Sequence, residues 1–353
     1  MPHFILESNQ YSERGDAVNA RNIHLALKKY LGIDSVLAFN ATSPNNRPKV
    51  LQSFIDDGIP IFGYGSQKEL NDFARSHHIT HSYLLKSGRY DHRWVADTKN
   101  CVHAVFNRQH EPHGDVYAYV SEWLYEQQLQ HKEFWWPRRL ARFKKIQRES
   151  GSPYFPSKKM PFSWVPHIVD PPKPRDPVAF RERLAISKGK KIIGRIGGHS
   201  EFNDPVALEA VSEILEAEES VFFVFVNTRQ FVSHPRALFI NEYISEQEKA
   251  DFYAVCDLTL NCRLMGESFG FSICESLFYG IPVIGPGLAR NAKMDAHHVS
   301  LLEPLDLLYD SKASLKEKIR QLLENKMSPD RLSAVVGKFA PEPVIKRFQE
   351  VFV

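Results

Sequence analysis

No run of apolar residues in this sequence approaches the ~18 that a membrane-crossing helix needs. The opening residues, MPHFILESNQYSERGD, turn polar too early for the apolar core of a secretory signal. Cysteine is scarce: Cys101, Cys256, Cys262 and Cys274 form no C-x-x-C pair and stand at no zinc spacing with histidine. That excludes a disulfide framework or zinc knuckle and reads as reduced thiols in a cytoplasmic chain. An excess of one charge is also missing. The 45 Lys and Arg against 42 Asp and Glu leave +3, which is not the field of a nucleic-acid binder. There is no Asp-x-Asp motif, no internal repeat and no low-complexity tract.

What is present is alternation of strand-like and helix-like segments across 353 residues, enough for two α/β domains with their own cores. In the N-terminal half, HFIL (3–6), SVLAF (35–39), IPIFGYG (59–65) and CVHAVF (101–106) read as strands. VNARNIHLALKKYLG reads as a helix with Ile23, Leu25, Ala26 and Leu27 as its apolar positions, stopped by Gly32. Residues 116–129 start strand-like and end helix-like. From 134 to 177 prolines, aromatics and basic residues crowd together and predict an irregular linker. The alternation then restarts with KKIIGRIGG (190–198), VALEAVSEILEAE, VFFVFVN (221–227) and ALFINEYI (237–244). A helix opened by the Ser245/Glu248 capping box precedes LTLNC (258–262). Such spacing predicts parallel sheets covered on both faces, with domains 1–165 and 166–340. The terminal segment 341–353, with Val344, Ile345, Phe348 and Val351 at helical spacing, is expected to be a helix returning to the first domain.

The stretch 261–287, NCRLMGESFGFSICESLFYGIPVIGPG, carries the chemistry. A strand ends, a loop with Gly266 and Gly270 follows, and a helix of about two turns runs to Gly280. Loop amides at a helix start suit a phosphate. Glu275, one turn along an otherwise apolar helix, needs solvent or a specific partner, because burying it unpaired is costly. A single carboxylate can accept both hydroxyls of a ribose. Arg195 ends a strand at Gly197 and Gly198, where a guanidinium fork beside glycines can neutralise a diphosphate without a metal.

Glu267 and Glu275, separated by seven residues and followed by Gly-Ile-Pro-Val-Ile-Gly, resemble the signature of family 4 retaining glycosyltransferases of the GT-B fold. VPHIVD (165–170), the Gly-Arg loop at 194–195 and NEYISEQEKADFYAVCDLTL (241–260) follow that family's order. The resemblance is good over roughly 165–285 and in outline before it. It implies an α/β chain of two Rossmann-like domains facing across a cleft, and a metal-independent transfer of sugar from a UDP- or GDP-type nucleotide-sugar, with retention, onto a glycan or lipid-linked acceptor. No cofactor beyond that co-substrate is implied. Glu275 would bind the donor ribose and Glu267 the donor sugar near the reacting centre. Arg195 and the loop Ser268, Phe269 and Gly270 would hold the diphosphate, backbone near Tyr243 the base, and the loop at Gly15 would lie under the phosphates. A histidine facing the reacting sugar is expected after the CVHAVF strand, and His110 is the candidate.

The family places a lysine five residues after the arginine, where this chain has Ser200. Arg263 or Lys293 can substitute. The departure keeps a second reading open, a non-catalytic nucleotide- or sugar-binding protein of the same fold. The segment HKEFWWPRRLARFKKIQR (131–148), with seven Lys/Arg against one Glu, reads either as a peripheral membrane contact or as a solvated helix with its aromatics packed inward.

Overall fold

Two strands rich in apolar residues anchor the sheets of the molecule. FILES and VFFVFV form strands whose residues are almost all buried, as parallel strands covered on both faces require. The computed structural model describes residues 3–12, 15–106, 110–130, 136–173, 176–240 and 244–353. The chain divides into two units, Met1–Ile168 with Pro341–Val353, and Val169–Ala340. Tyr243 and residues 131–135 of the basic segment lie outside the described residues.

Unit 1 contains strands β1 (Phe4–Ser8), β2 (Ser35–Asn40), β3 (Ile61–Tyr64), β4 (His81–Lys86), β5 (Lys99–Ala104), β6 (Val116–Tyr119) and β7 (Ser163–Trp164). Its helices are α1 (Gly15–Ala26), α2 (Pro48–Asp56), α3 (Gln67–Ser76), α4 (Glu122–Gln130) and α5 (Trp136–Ser150). The strands pair in the order β3-β2-β1-β4-β5-β6-β7, each parallel to its neighbour.

Helix α1 runs into a wider turn at Leu27–Leu31 and stops at Gly32, whose φ of 62° is the left-handed conformation that favours glycine. Leu25, expected on its buried face, is exposed, and Asn19 and Asn22 lie inward instead. Both are satisfied: Asn22 donates to the Ile168 carbonyl at 2.9 Å and Asn19 to the Tyr83 hydroxyl at 2.8 Å. The expectation of an irregular linker from 134 is corrected, because α5 occupies 15 of those residues. Pro137 is the second residue of that helix, where a missing N–H costs little, and no proline follows before Pro153.

Unit 2 contains β8 (Lys191–Ile196), β9 (Val221–Val226), β10 (Ala237–Ile240), β11 (Leu258–Leu260), β12 (Gly266–Glu267), β13 (Val283–Pro286), β14 (Asp295–Ala296) and β15 (Leu308–Tyr309). Its helices are α6 (Pro177–Arg183), α7 (Pro205–Ala217), α8 (Glu246–Val255), α9 (Phe271–Phe278), α10 (His297–Leu302), α11 (Lys312–Glu324) and α12 (Pro329–Val336). The main sheet has the order β10-β9-β8-β11-β13-β15, and β12 pairs separately with β14. Again every pairing is parallel. Its core joins β8, β9 and β11 to α7 and α11 through Ile193, Val211, Phe223, Leu258 and Leu315.

The last helix, α13 (Pro341–Phe352), belongs to unit 1. Val344, Ile345 and Phe348 are buried as expected, while the final inward position is Phe352 and not Val351. Phe348 lies 5.8 Å from both Phe4 and Tyr83.

Candidate functional site

Both sheets have the strand order of a Rossmann-like fold. The chain steps outward from a central strand, then returns to that strand's other side. Ligands of such sheets bind beyond the carboxyl ends of the two strands at that reversal. In unit 2 these are β8, which ends at the Gly-Arg loop, and β11, which ends before Arg263 and Glu267.

Arg195 is 4% exposed. Its guanidinium donates to the Asn227 carbonyl at 3.0 Å, the Thr228 hydroxyl at 2.7 Å and the Gly198 carbonyl at 2.8 Å. It therefore ties the glycine loop to the end of β9. Burial brings it down to about 10, which still leaves it charged at neutral pH. A Cβ on Gly197 would stand 2.9 Å from the Arg195 Nη2, and one on Gly198 2.5 Å from the Glu201 carboxyl. The space over these glycines is filled by the protein's own Arg195 and Glu201, not left open for a ligand's approach.

Arg263 spans the reversal. It meets Glu267 at 3.0 Å and Glu201 at 3.3 Å. Arg263 is 23% exposed and Glu267 14%, so this group is partly open. Burial pushes the Glu267 carboxyl above its ordinary range, and Arg263 pulls the other way. Ser200, five residues after Arg195, brings no cation, and the next residue is the acidic Glu201. Lys293 is exposed in the loop after β13.

A run of polar groups links Glu267 to Glu275, and its last member, the Tyr253 hydroxyl, shares its single proton between the Ser272 carbonyl and Glu275. Asn261 donates to Glu267 at 3.2 Å and to the Ser272 hydroxyl at 3.3 Å. The Tyr253 hydroxyl lies 3.3 Å from the Ser272 carbonyl and 3.2 Å from Glu275 Oε2. Lys249 Nζ stands 2.5 Å from Glu275 Oε1 and 2.9 Å from Glu246. The Ser245/Glu248 capping box is formed as expected. It sets the phase of α8, so Lys249 and Tyr253, four residues apart, share the face turned to Glu275. That spacing was the available signal for two residues sequence reasoning missed, along with Asn261, Ser272 and Glu201. The i, i+4 rule reveals a shared face, but only tertiary packing supplies the carboxylate it meets.

The loop into α9 is built on two left-handed glycines. Gly266 has φ 64°, and a Cβ there would stand 2.1 Å from the Asp295 carbonyl oxygen. Gly270, at φ 85°, caps α9 without a side-chain bond. Ser268 and Phe269 are buried. His297 donates from Nδ1 to the Phe269 carbonyl at 2.7 Å and stacks on its ring at 5.5 Å, fixing the loop from behind. Burial pushes that imidazole down to about 4, so it is neutral.

The unit 1 candidates fare differently. Gly15 opens α1. His110 is 6% exposed, with Nδ1 2.5 Å from the Tyr119 hydroxyl and its ring 4.7 Å from Phe162. Burial pushes it down to about 4. The structure thus encloses this histidine in an aromatic cluster with Tyr119 and Phe162. His103 is equally enclosed, accepting from Tyr83 at 2.5 Å and donating to the Val165 carbonyl at 2.8 Å. In the basic segment, Phe143 and Ile146 are core residues, and Arg139 and Arg142 turn onto the buried Glu111. Lys144, Lys145 and Arg148 remain exposed.

No protein-family model matches the sequence, and no curated protein does. Solved structures do. The chain is similar to a glycosyltransferase from Rickettsia africae ESF-5, at 12% identity over 99% of this chain and 98% of that one, with TM-score 0.63. It is similar to Anabaena Alr3699/HepE in complex with UDP-glucose, at 11% identity over 99% of each chain, with TM-score 0.64. It is also similar to WaaG, a glycosyltransferase involved in lipopolysaccharide biosynthesis, at 11% identity over 99% and 96%, with TM-score 0.52. These likenesses establish the fold, the GT-B type with two Rossmann-like units in one chain.

Proposed function

We propose that this protein is a retaining, metal-independent glycosyltransferase that moves a sugar from a UDP- or GDP-type nucleotide-sugar to a glycan or lipid-linked acceptor. The observation that carries the reading is the continuous polar chain from Arg263 and Glu267 through Asn261, Ser272 and Tyr253 to Glu275. It lies at the sheet reversal where this fold takes nucleotides. A neighbour of the same fold holds UDP-glucose, which makes uridine donors the first to test.

In this reading Glu275 accepts the ribose hydroxyls and Glu267 contacts the donor sugar. Arg263 and the N–H groups of the loop Ser268–Gly270 receive the diphosphate. Arg195, its donors engaged on loop carbonyls, orders the glycine loop and adds a fixed positive charge nearby. The bond from the sugar's anomeric carbon to the diphosphate breaks with its electron pair on the phosphate oxygen. The acceptor oxygen bonds to the same face of that carbon and passes its proton to the departing diphosphate oxygen. The protein's part is mainly electrostatic, because preorganised donors stabilise the charge that develops on the leaving group. The exposed Lys144, Lys145 and Arg148 on α5 support contact with an anionic membrane surface, where a lipid-linked acceptor would be met.

The alternative, a nucleotide- or sugar-binding protein without turnover, is favoured by Ser200 and by Glu201, a carboxylate on Arg263, which in the first reading replaces the absent lysine. Transfer and donor hydrolysis with a panel of nucleotide-sugars decide between them. Turnover that falls by about 10²–10³ in Glu267→Ala, with folding intact, supports the enzyme. Nucleotide binding without turnover supports the alternative.

A further inference from the structure

Glu275 is a carboxylate whose side chain is only 12% exposed, and the cation on it among the described residues, Lys249, is equally enclosed at 12%. That ammonium is shared. It stands between Glu275 at 2.5 Å and Glu246 at 2.9 Å. Tyr253 takes the second oxygen of Glu275 at 3.2 Å, and its ring stacks on Tyr279 at 5.0 Å. Each oxygen of Glu275 thus has one protein donor. A carboxylate offers about four lone-pair sites, so about one remains on each oxygen, the pattern that receives two adjacent hydroxyls.

We propose that Lys249 is a positioning residue of the nucleotide site: its ammonium keeps Glu275 ionised and fixes its orientation for a vicinal diol. The inference rests on the reading of Glu275 as the ribose carboxylate. Lys249 does not touch the nucleotide itself. Without it, Glu246 and Glu275 lose the cation that lies between them, in a place where desolvation already favours the protonated acid. A protonated Glu275 spends one oxygen as a donor and no longer accepts two hydroxyls.

The other groups around Glu275 do not replace Lys249. From α8 come Glu246, which repels, and Tyr253, a neutral donor. On its own helix and just beyond are Cys274 and Tyr279, both uncharged at neutral pH. On α12 Asp330 and Arg331 are exposed, and Lys338 beyond it acts on Cys274. Burial pushes Glu275 above the ordinary carboxylate range and Glu246 pushes the same way, while Lys249 is the largest influence holding it down. The ammonium itself is held well above its ordinary range by the two carboxylates.

The test is calorimetric binding of UDP and of 2′,3′-dideoxy-UDP between pH 5.5 and 9, repeated with the GDP pair, so that phosphate titration cancels in the comparison. Wild type should prefer the ribose form over this whole range. Lys249→Met should lose about tenfold of that preference at pH 6, the worth of a charge-assisted hydrogen bond, and regain it as the pH rises and Glu275 ionises. Lys249→Arg should restore it, and Glu246→Gln, at a part-buried position in the first turn of α8, should extend it to lower pH. A preference in Lys249→Met equal to wild type at every pH, or in Glu246→Gln shifted to higher pH, overturns the proposal. No preference for the diol in wild type, or one retained in Glu275→Gln, overturns the ribose reading itself.

Discussion

The two units carry charged networks at the same topological position and use them differently. In unit 1, where β1 and β4 flank the reversal, Arg93 grips Glu7 at 2.9 and 3.2 Å and also meets Asp91 at 3.2 Å. Lys86 stands 2.7 Å from Asp91 and 3.1 Å from His113, and Tyr64 donates to Glu7 at 2.6 Å. The side chains of Glu7 and Lys86 are fully buried. In unit 2 the corresponding Glu201–Arg263–Glu267 group stays partly open, with the cation shared by two carboxylates. A closed network with its donors satisfied serves structure, whereas a partly open one can exchange an internal carboxylate for an incoming anion. Topology alone nominates both places. Exposure of the central carboxylate distinguishes them: Glu7 is fully buried and Glu267 is not, although Asp91 at the rim of the first is as open as Glu201 in the second.

The largest effect that would break this contrast is in the closed network. Arg93→Met leaves Glu7 buried without its cation and should cost about 3–5 kcal/mol of stability, the toll of breaking a buried pair. Chemical denaturation measures it. A loss below about 1 kcal/mol would mean the network is open in solution. In the open group, Arg263→Met should weaken UDP about tenfold, one charge-assisted bond's worth, and leave uridine, which has no phosphates, unchanged. Equal losses for both would show that Arg263 supports the fold and not the diphosphate.

The smallest effect concerns His110. Its folded form is neutral with its titration pushed down to about 4, against about 6.5 unfolded. The unfolded chain therefore binds the extra proton, and this histidine's share of stability is full above about pH 6.5 and lost as pH falls towards 4. Between pH 7 and 5.5 that share is about 1 kcal/mol. His110→Phe should flatten the slope of stability against pH in that interval while transfer at pH 7 persists. Loss of transfer in a folded His110→Phe would support the catalytic role that the sequence suggested.

Much of the sheet framework was legible because parallel strands covered on both faces need consecutive apolar residues, as in FIL (4–6) and VFFVFV. Less legible were α2 and α3, which bury only Val50 and Phe54, and Leu70 and Ala74. Two inward residues per helix make too faint a periodic signal. β4 was hidden by its own end, since Lys86 is a charge inside the molecule. The basic segment was ambiguous for a related reason: Arg139 and Arg142 turn onto a carboxylate, Glu111, well before them in the sequence.

Local chemistry, which acts between neighbours in the chain, set what the sequence determined by itself. That includes the alternation of strands and helices, the stop at Gly32, the capping box at Ser245, and the spacing that puts Glu267 before α9 and Glu275 inside it. Tertiary structure alone decided which cation meets which carboxylate. Lys249 and Glu275 are 26 residues apart, and Arg93 and Glu7 are 86 apart. Coulomb attraction depends on separation in space and on burial, neither of which a linear spacing contains. Arg195 is the clearest case. Its place beside two glycines was plain from the sequence, but only the folded loop determined that its guanidinium would bind backbone carbonyls.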